Sequence, residues 1–127
     1  MPDSRVPEFF EVFGDAGGED PKLDVLGHLF ADPFLSADAS GARPVPRDLF
    51  LQALPRRAAL FADAGLGPAA LTALSWDRLD DHYLLARTEW ACPRLAGGDP
   101  KRLASSFLLH DDGDRLRIVL YLNHEGL

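Results

Sequence analysis

The chain has 127 residues, a formal net charge of −7, and 46% hydrophobic residues. Its length and composition predict one globular domain over residues 1–127, with enough apolar side chains for one core. The acidic balance argues against nucleic-acid binding, which requires a basic face. No apolar run reaches the roughly 18 residues of a membrane span, and Met1–Arg5 lacks the pattern of a secretory signal. We therefore expect a cytoplasmic protein that does not bind membranes, and its high use of Ala, Arg, Gly and Pro favours a bacterial source.

Two helices are predicted near the start of the chain. The first has one apolar face at helical spacing and ends at Gly14 and Gly17-Gly18, and that face consists of Val6, Phe9, Phe10 and Phe13. The second is predicted to bury a stripe of Leu23, Leu26 and Phe30. It should stop at Asp32-Pro33, because a residue before proline avoids the helical region.

A loop and a third helix follow. Residues 33–45 are predicted to form a short strand around Phe34-Leu35 and then a loop. The third helix opens at Pro46-Arg47-Asp48 and contains Pro55, which predicts a kink or two helices in tandem. One side of this helix is predicted to carry Phe50, Ala53, Leu54, Ala58 and Phe61.

The last part of the chain predicts four consecutive β-strands with short turns rich in Asp and Gly. Their predicted ranges are Leu71–Leu79, His82–Ala91, Arg102–His110 and Arg115–Leu122. Helices followed by such a meander indicate an α+β fold with an antiparallel sheet.

Strict alternation assigns the side chains of the last strand to two faces. One face takes Leu116, Ile118, Leu120 and Leu122, and the other takes Arg117, Val119, Tyr121 and Asn123. The second face is half apolar, which is more than contact with water requires. This pattern favours packing against another subunit.

Three segments resemble proteins of the nuclear-transport-factor-2-like superfamily, of the SnoaL-like and ketosteroid-isomerase-like kind. Leu29–Phe34 is similar to the "LFADD" that ends the family's second helix. The helix after the loop matches the family's third helix, and Ser105–Tyr121 resembles its "stF-L-DG-WrIv-Y" ending. The order of elements matches over nearly the whole chain.

The resemblance implies a cone-shaped fold. A bent antiparallel sheet would wrap three N-terminal helices and leave a pocket at its open end, and members often dimerise through the outer face of the sheet. Some members are isomerases, cyclases, dehydratases or hydrolases, and others are binding modules. The fold alone therefore does not decide whether this chain is an enzyme.

Asp38 is the candidate catalytic residue. The resemblance places it where the isomerase-like members carry a proton-shuttling Asp, and a carboxylate in an apolar pocket has a raised pKa that suits acid–base chemistry beside a carbonyl. The alternative is that Asp38 forms an Asx-turn or caps the loop before Gly41.

The electrophilic partners of that chemistry differ in this sequence. The isomerase-like members use a Tyr on the first helix and a protonated Asp on a late strand to hold the enolate oxygen. Here the first helix offers phenylalanines, and the late-strand position aligns with Ser105 or Ser106. This difference argues against steroid-isomerase chemistry.

Aromatic side chains and one serine are expected to line the pocket. The expected lining residues are Phe13, Phe30, Phe61, Trp76, Trp90, Ser105 and Phe107. The alternative for both tryptophans is an ordinary place in the core, and the phenylalanines could equally fill the pocket.

No metal or cofactor is expected. The four histidines, His28, His82, His110 and His124, share no metal-ligand spacing. The lone Cys92 excludes an intrachain disulfide and a cysteine metal site. Arg56-Arg57 is interpreted as a solvated helix face.

Three hypotheses of function follow. The leading one is a homodimer whose pocket holds a small apolar molecule without performing chemistry. The second is an isomerase, cyclase or dehydratase in which Asp38 acts as general acid or base, with Trp90, Ser105 or a water as partner. The third is an interaction domain that presents its outer sheet face to a different protein.

Overall fold

A computed structural model of the chain describes residues 5–17 and 20–125. In chain order the elements are α1 (Arg5–Ala16), α2 (Leu23–Gly27), β1 (Phe30–Asp38), β2 (Gly41–Val45), α3 (Arg47–Asp63), β3 (Ala70–Arg78), β4 (Tyr83–Cys92), β5 (Lys101–Asp111) and β6 (Leu116–Glu125). The predicted α+β class is confirmed. Two predictions concern residues outside the described ranges. These are the lack of a secretory signal at residues 1–4 and the end of the first helix at Gly18. Within the described part of the chain, no helix has both the length and the apolar character needed to cross a membrane.

Helix α1 forms where its apolar periodicity predicts it. Val6, Phe9 and Phe10 are buried, and Phe13 is half-buried on the same side. Helical spacing places these side chains on one stripe, and the stripe packs against the sheet.

The second helix is shorter than predicted. It ends at Gly27, and Phe30 begins strand β1 instead of completing a helical stripe. The backbone N–H of Ile118 donates to the Leu29 carbonyl at 2.7 Å, and Phe30 lies beside Ile118 in the parallel register of β1 and β6. A short apolar run is compatible with a helix or a buried strand. Pairing with β6 therefore explains why Phe30 lies in a strand.

Residues 33–45 form a hairpin of β1 and β2 where the sequence indicated a short strand and a loop. The two strands pair antiparallel from Phe34 opposite Val45 to Asp38 opposite Gly41. Proline cannot donate to the ladder, which disfavours a strand at Pro44. Strand β2 is an edge strand, however, and an edge tolerates the missing donor.

Helix α3 is one continuous helix through Pro55, so the tandem alternative is wrong. None of its side chains is fully buried. Of the residues predicted on one side, Ala53 is exposed, while the half-buried ones are Phe50, Leu54, Ala58 and Phe61. The helix therefore covers the sheet without inserting into a closed core.

The sheet has six strands in the order β2-β1-β6-β5-β4-β3. The four-strand meander from β3 to β6 is antiparallel as predicted. Strand β1 runs parallel to β6, so the whole sheet is mixed and the prediction of a purely antiparallel sheet is corrected. Two parallel strands require a long connection. The connection between β1 and β6 includes α3, which carries the chain from the β2 edge of the sheet to the β3 edge.

A β-bulge at Val119 changes which side chains of β6 face the core. Ile118 pairs with Leu109 and Leu120 pairs with Leu108, which leaves Val119 as an extra residue. Leu116 and Ile118 are buried as predicted, but beyond the bulge the buried residue is Tyr121, at 7% exposure. The prediction that Tyr121 and Asn123 lie on the outer face is therefore wrong, because one extra residue reverses the two-residue alternation.

Candidate functional site

The inner face of the sheet and the three helices enclose a cavity of about 140 Å³. Its apolar lining includes Phe13, Leu26, Phe30, Phe50, Leu54, Phe61, Trp90 and Leu103, and small residues from three segments complete it, namely Gly14, Gly17, Ala58, Ala62, Gly67 and Ala69. An apolar cavity of roughly 150 Å³ is known to accommodate benzene. The space therefore suits a molecule of about one aromatic ring.

Phe13 stands at the centre of the aromatic wall. Its ring centroid lies 5.8 Å from that of Trp90 and 6.2 Å from that of Phe30. Phe30 in turn packs against Phe50 of α3 with 4.9 Å between centroids. These distances are typical of favourable aromatic pairs, and they join α1, the sheet and α3 around the cavity.

A line of hydrogen bonds runs from Trp90 into the neighbouring strands. The Trp90 indole Nε1 donates to the Thr88 hydroxyl at 2.8 Å, and that hydroxyl donates to the Ser105 carbonyl at 3.3 Å. The Ser105 hydroxyl donates to Asn123 Oδ1 at 3.3 Å. The polar groups of this wall therefore satisfy one another, which removes the cost of burying them.

Arg57 is the one charged side chain among the described residues that line the cavity. It is half-buried, whereas its neighbour Arg56 is exposed. Its guanidinium carbon lies 5.6 Å from the ring centroid of Phe61, in a cation–π contact. The interpretation of both arginines as a solvated face is therefore wrong for Arg57.

Five of the seven expected lining residues border the cavity, namely Phe13, Phe30, Phe61, Trp90 and Ser105. Phe107 is fully buried behind the wall and stacks on Tyr121 at 4.7 Å. Trp76 is half-buried on β3, opposite Ala86, and packs against the core away from the cavity. These two positions are corrected because alternation identifies the inner face of a strand but not which part of that face is left uncovered.

Sequence reasoning missed several residues of the lining. Phe50, Leu54 and Arg57 line the cavity from α3, and Tyr121 and Asn123 line it from β6. A helical signal for Arg57 exists, since it falls three residues after Leu54 and four before Phe61 on one face. No comparable signal exists for the β6 pair, because the bulge at Val119 places them inside.

Asp38 lies at the turn of the β1–β2 hairpin, exposed and outside the cavity lining. Its Oδ1 accepts hydrogen bonds from the Ser40 backbone N–H at 2.8 Å and from the Ser40 hydroxyl. These bonds lower the pKa of the Asp38 carboxyl, whereas an acid–base role near neutral pH requires a raised one. The Asx-turn weighed as the alternative matches these contacts, and the geometry gives the catalytic hypothesis no support.

The remaining candidates for reactive chemistry are dispersed. In the part of the chain that the structure describes, no group of three His, Cys, Asp or Glu side chains is arranged to hold a metal ion. Cys92 is buried at the end of β4, and burial raises the pKa of its thiol despite the positive charges of Arg57 and Lys101. A thiol with a raised pKa is a poor nucleophile at neutral pH.

The sequence matches no protein-family model and no curated protein. Solved structures do match. A nuclear-transport-factor-2-like protein of unknown function from Shewanella oneidensis MR-1 superposes with a TM-score of 0.75 at 16% identity, over 98% of this chain and 100% of that one. One of the same kind from Pseudomonas putida KT2440 gives 0.74 at 12% identity, over 98% and 86% of the two chains.

A protein of the SnoaL-like family from Agrobacterium tumefaciens strain C58 gives a TM-score of 0.65 at 12% identity, over 98% of this chain and 100% of that one. At such identities a structural likeness establishes the fold and leaves the function open. The chain therefore has the nuclear-transport-factor-2-like fold that its sequence motifs indicated.

Proposed function

We propose that this chain is a homodimeric binding protein that holds a small apolar molecule in the cavity between its helices and its sheet. The observation that carries the proposal is the cavity of about 140 Å³ with its wall of aromatic side chains. Small-molecule sites are concave and mostly apolar, with a few polar groups that set orientation. Here those polar groups are Ser105, Tyr121, Asn123 and Arg57.

Binding without chemistry is favoured by the composition of the lining. The described lining residues include no carboxylate and no imidazole, which are the usual general bases of enzymes. Asp38, the residue on which the enzyme hypothesis depends, lies at the hairpin turn with a lowered pKa. No observation favours the acid–base alternative over binding.

The dimer part of the proposal is supported by the outer face of the sheet. Leu35, Leu120, Leu108 and Leu85 are cross-strand neighbours on β1, β6, β5 and β4. We call this set the outer leucine row. Leu35 is 43% exposed and the other three are half-buried. A face of this kind favours a protein contact, and an apolar row suits the self-complementary contact of a two-fold dimer.

Binding in the cavity can be tested with toluene, a neutral molecule of one ring. We expect toluene to shift the ¹H–¹⁵N signal of the Trp90 indole, which borders the cavity, and to leave that of Trp76 unchanged. A Trp76→Phe variant assigns the two signals. If saturating toluene leaves the Trp90 signal unmoved, the binding proposal is wrong.

A matched pair of variants localises the binding. Ala58 lines the cavity, whereas the adjacent Ala59 is exposed and is not part of the lining. We expect Ala58→Phe to occupy the cavity and abolish the toluene-induced shift, while Ala59→Phe keeps it. Equal shifts in both variants would place the toluene elsewhere on the protein.

A further inference from the structure

The described lining of the cavity contains a single charged side chain. It belongs to Arg57, and its neighbours in the wall are apolar or uncharged. The protein as a whole carries a formal charge of −7. A cation in an apolar wall is costly unless it is paired, so the position of Arg57 calls for an explanation.

No described carboxylate pairs with Arg57. The ion pairs of the described residues use Arg5, Arg47, Arg78, Arg87 and Arg117. In the described part of the chain Arg57 donates no hydrogen bond, and its guanidinium contacts the ring of Phe61. A guanidinium has five N–H donors in its plane, so a ring contact leaves donors for a second partner.

Of the other polar side chains in the lining, Tyr121 offers one neutral hydroxyl, and the remaining two are partnered. Ser105 and Asn123 are hydrogen-bonded to each other at 3.3 Å. Arg57 is therefore the described lining residue with the greatest unused capacity for hydrogen bonds, and that capacity is for an anion. A guanidinium binds a carboxylate with two parallel hydrogen bonds, which are stronger than bonds between neutral groups.

We propose that the ligand of this cavity is a small apolar carboxylic acid, bound as its carboxylate by Arg57, with its apolar part against Phe13, Phe30 and Trp90. This inference rests on the proposed binding function and adds the chemical class of the ligand. The volume of about 140 Å³ limits the apolar part to about one ring or a short acyl chain. Because the net charge of the protein repels anions, the preference for an acid has to come from the local contact.

The test compares two probes of the same shape by isothermal titration calorimetry, benzoate and its neutral amide, benzamide, whose apolar part is one ring. We expect the wild-type protein to bind the acid about 10-fold or more tightly than the amide, as one charge-assisted contact provides. In Arg57→Gln the two affinities should become equal, through a loss of affinity for the acid.

Arg56→Gln is the matched control, since it removes the same charge one residue away from an exposed position. It should keep the preference for the acid. Arg57→Lys keeps the charge without the paired donors and should retain part of the preference. Far-ultraviolet circular dichroism and thermal unfolding establish that each variant is folded.

The outcomes separate this inference from the binding function on which it rests. If the wild-type protein binds the amide as tightly as the acid, or if Arg57→Gln keeps the preference, the assignment of an acid is overturned and apolar binding stands. If neither probe binds although toluene does, the assignment of an acid is overturned and apolar binding stands. If toluene also fails to bind, both proposals are overturned together.

Discussion

Asp111 joins three parts of the molecule through one carboxylate. Its side chain is 8% exposed and accepts two hydrogen bonds from Arg5 of α1, at 2.7 and 3.2 Å, and one from Arg78 of β3 at 2.9 Å. The backbone N–H of Gly113 adds a fourth at 2.9 Å. The bonds from Arg5 come first among the causes that lower the pKa of Asp111 well below its usual range.

Asp111→Asn is expected to reduce the free energy of unfolding by roughly 1–3 kcal/mol at pH 7, because it removes the charge that faces both arginines. The range is modest because both arginine side chains are 38% exposed and water screens them. Urea unfolding of the two proteins measures the difference.

The stability difference between the wild-type protein and Asp111→Asn should depend on pH. A carboxyl whose pKa is lowered by folding contributes stability that is fully present above about pH 4 and is lost as the pH falls toward the folded pKa. The stability difference between wild-type protein and Asp111→Asn should therefore narrow below pH 4. Asp114→Asn, at an exposed position of the next turn, should change stability by less than about 0.5 kcal/mol. A difference that stays constant down to pH 2 would contradict the ion-pair explanation.

At the scale of elements, Phe50 supplies aromatic contacts between α3 and strand β1. Phe50 lies 4.9 Å from the ring of Phe30 and 5.0 Å from that of Phe34, between centroids. Phe50 is half-buried, like Leu54 and Phe61 further along the helix. Its ring contacts with β1 therefore make it the first residue to test for the packing of α3 on the sheet.

Phe50→Ala is expected to lower the free energy of unfolding by about 2–4 kcal/mol, because it deletes a packed ring and enlarges the cavity. Leu49→Ala is the control in the same helix turn, since Leu49 is 61% exposed. It should change stability by less than about 0.5 kcal/mol. Similar losses in the two variants would mean that the helix is not held by Phe50.

At the scale of the whole molecule, we propose that copies of the chain meet through the outer leucine row. Analytical ultracentrifugation at micromolar concentration should find a dimer of the wild-type chain. Leu35→Lys should convert it to a monomer, because it places a charge in an apolar contact at the most exposed residue of the row. Leu49→Lys makes the same change on α3, away from the row, and should remain a dimer.

A wild-type monomer would contradict the dimer proposal. The outer leucine row would then be available to a different protein, which is the interaction-domain alternative. In that case Leu35→Lys should weaken capture of the partner from the native host, and Leu49→Lys should leave it unchanged.

The sequence predicted the parts of this fold whose patterns are local. The α1 stripe, the four strands of the meander and their turns follow from spacing and turn chemistry over a few residues. Asp80 and Asp112 illustrate this, since each carboxylate accepts backbone N–H bonds within its own turn. The family motifs, read together, also indicated the fold that the comparisons confirm.

The tertiary structure decided what depends on distant partners. Phe30 joined a strand because β6 was beside it, Tyr121 entered the cavity because of a bulge, and Asp111 met two arginines far from it in the chain. The position of Arg57 in the cavity wall also depends on distant partners. Helical spacing places Arg57 on one face of α3, and the packing of α3 over the sheet makes that face part of the wall. Patterns of two and 3.6 residues determine which side of an element is buried, whereas the contacts between elements determine which buried positions remain open to a ligand.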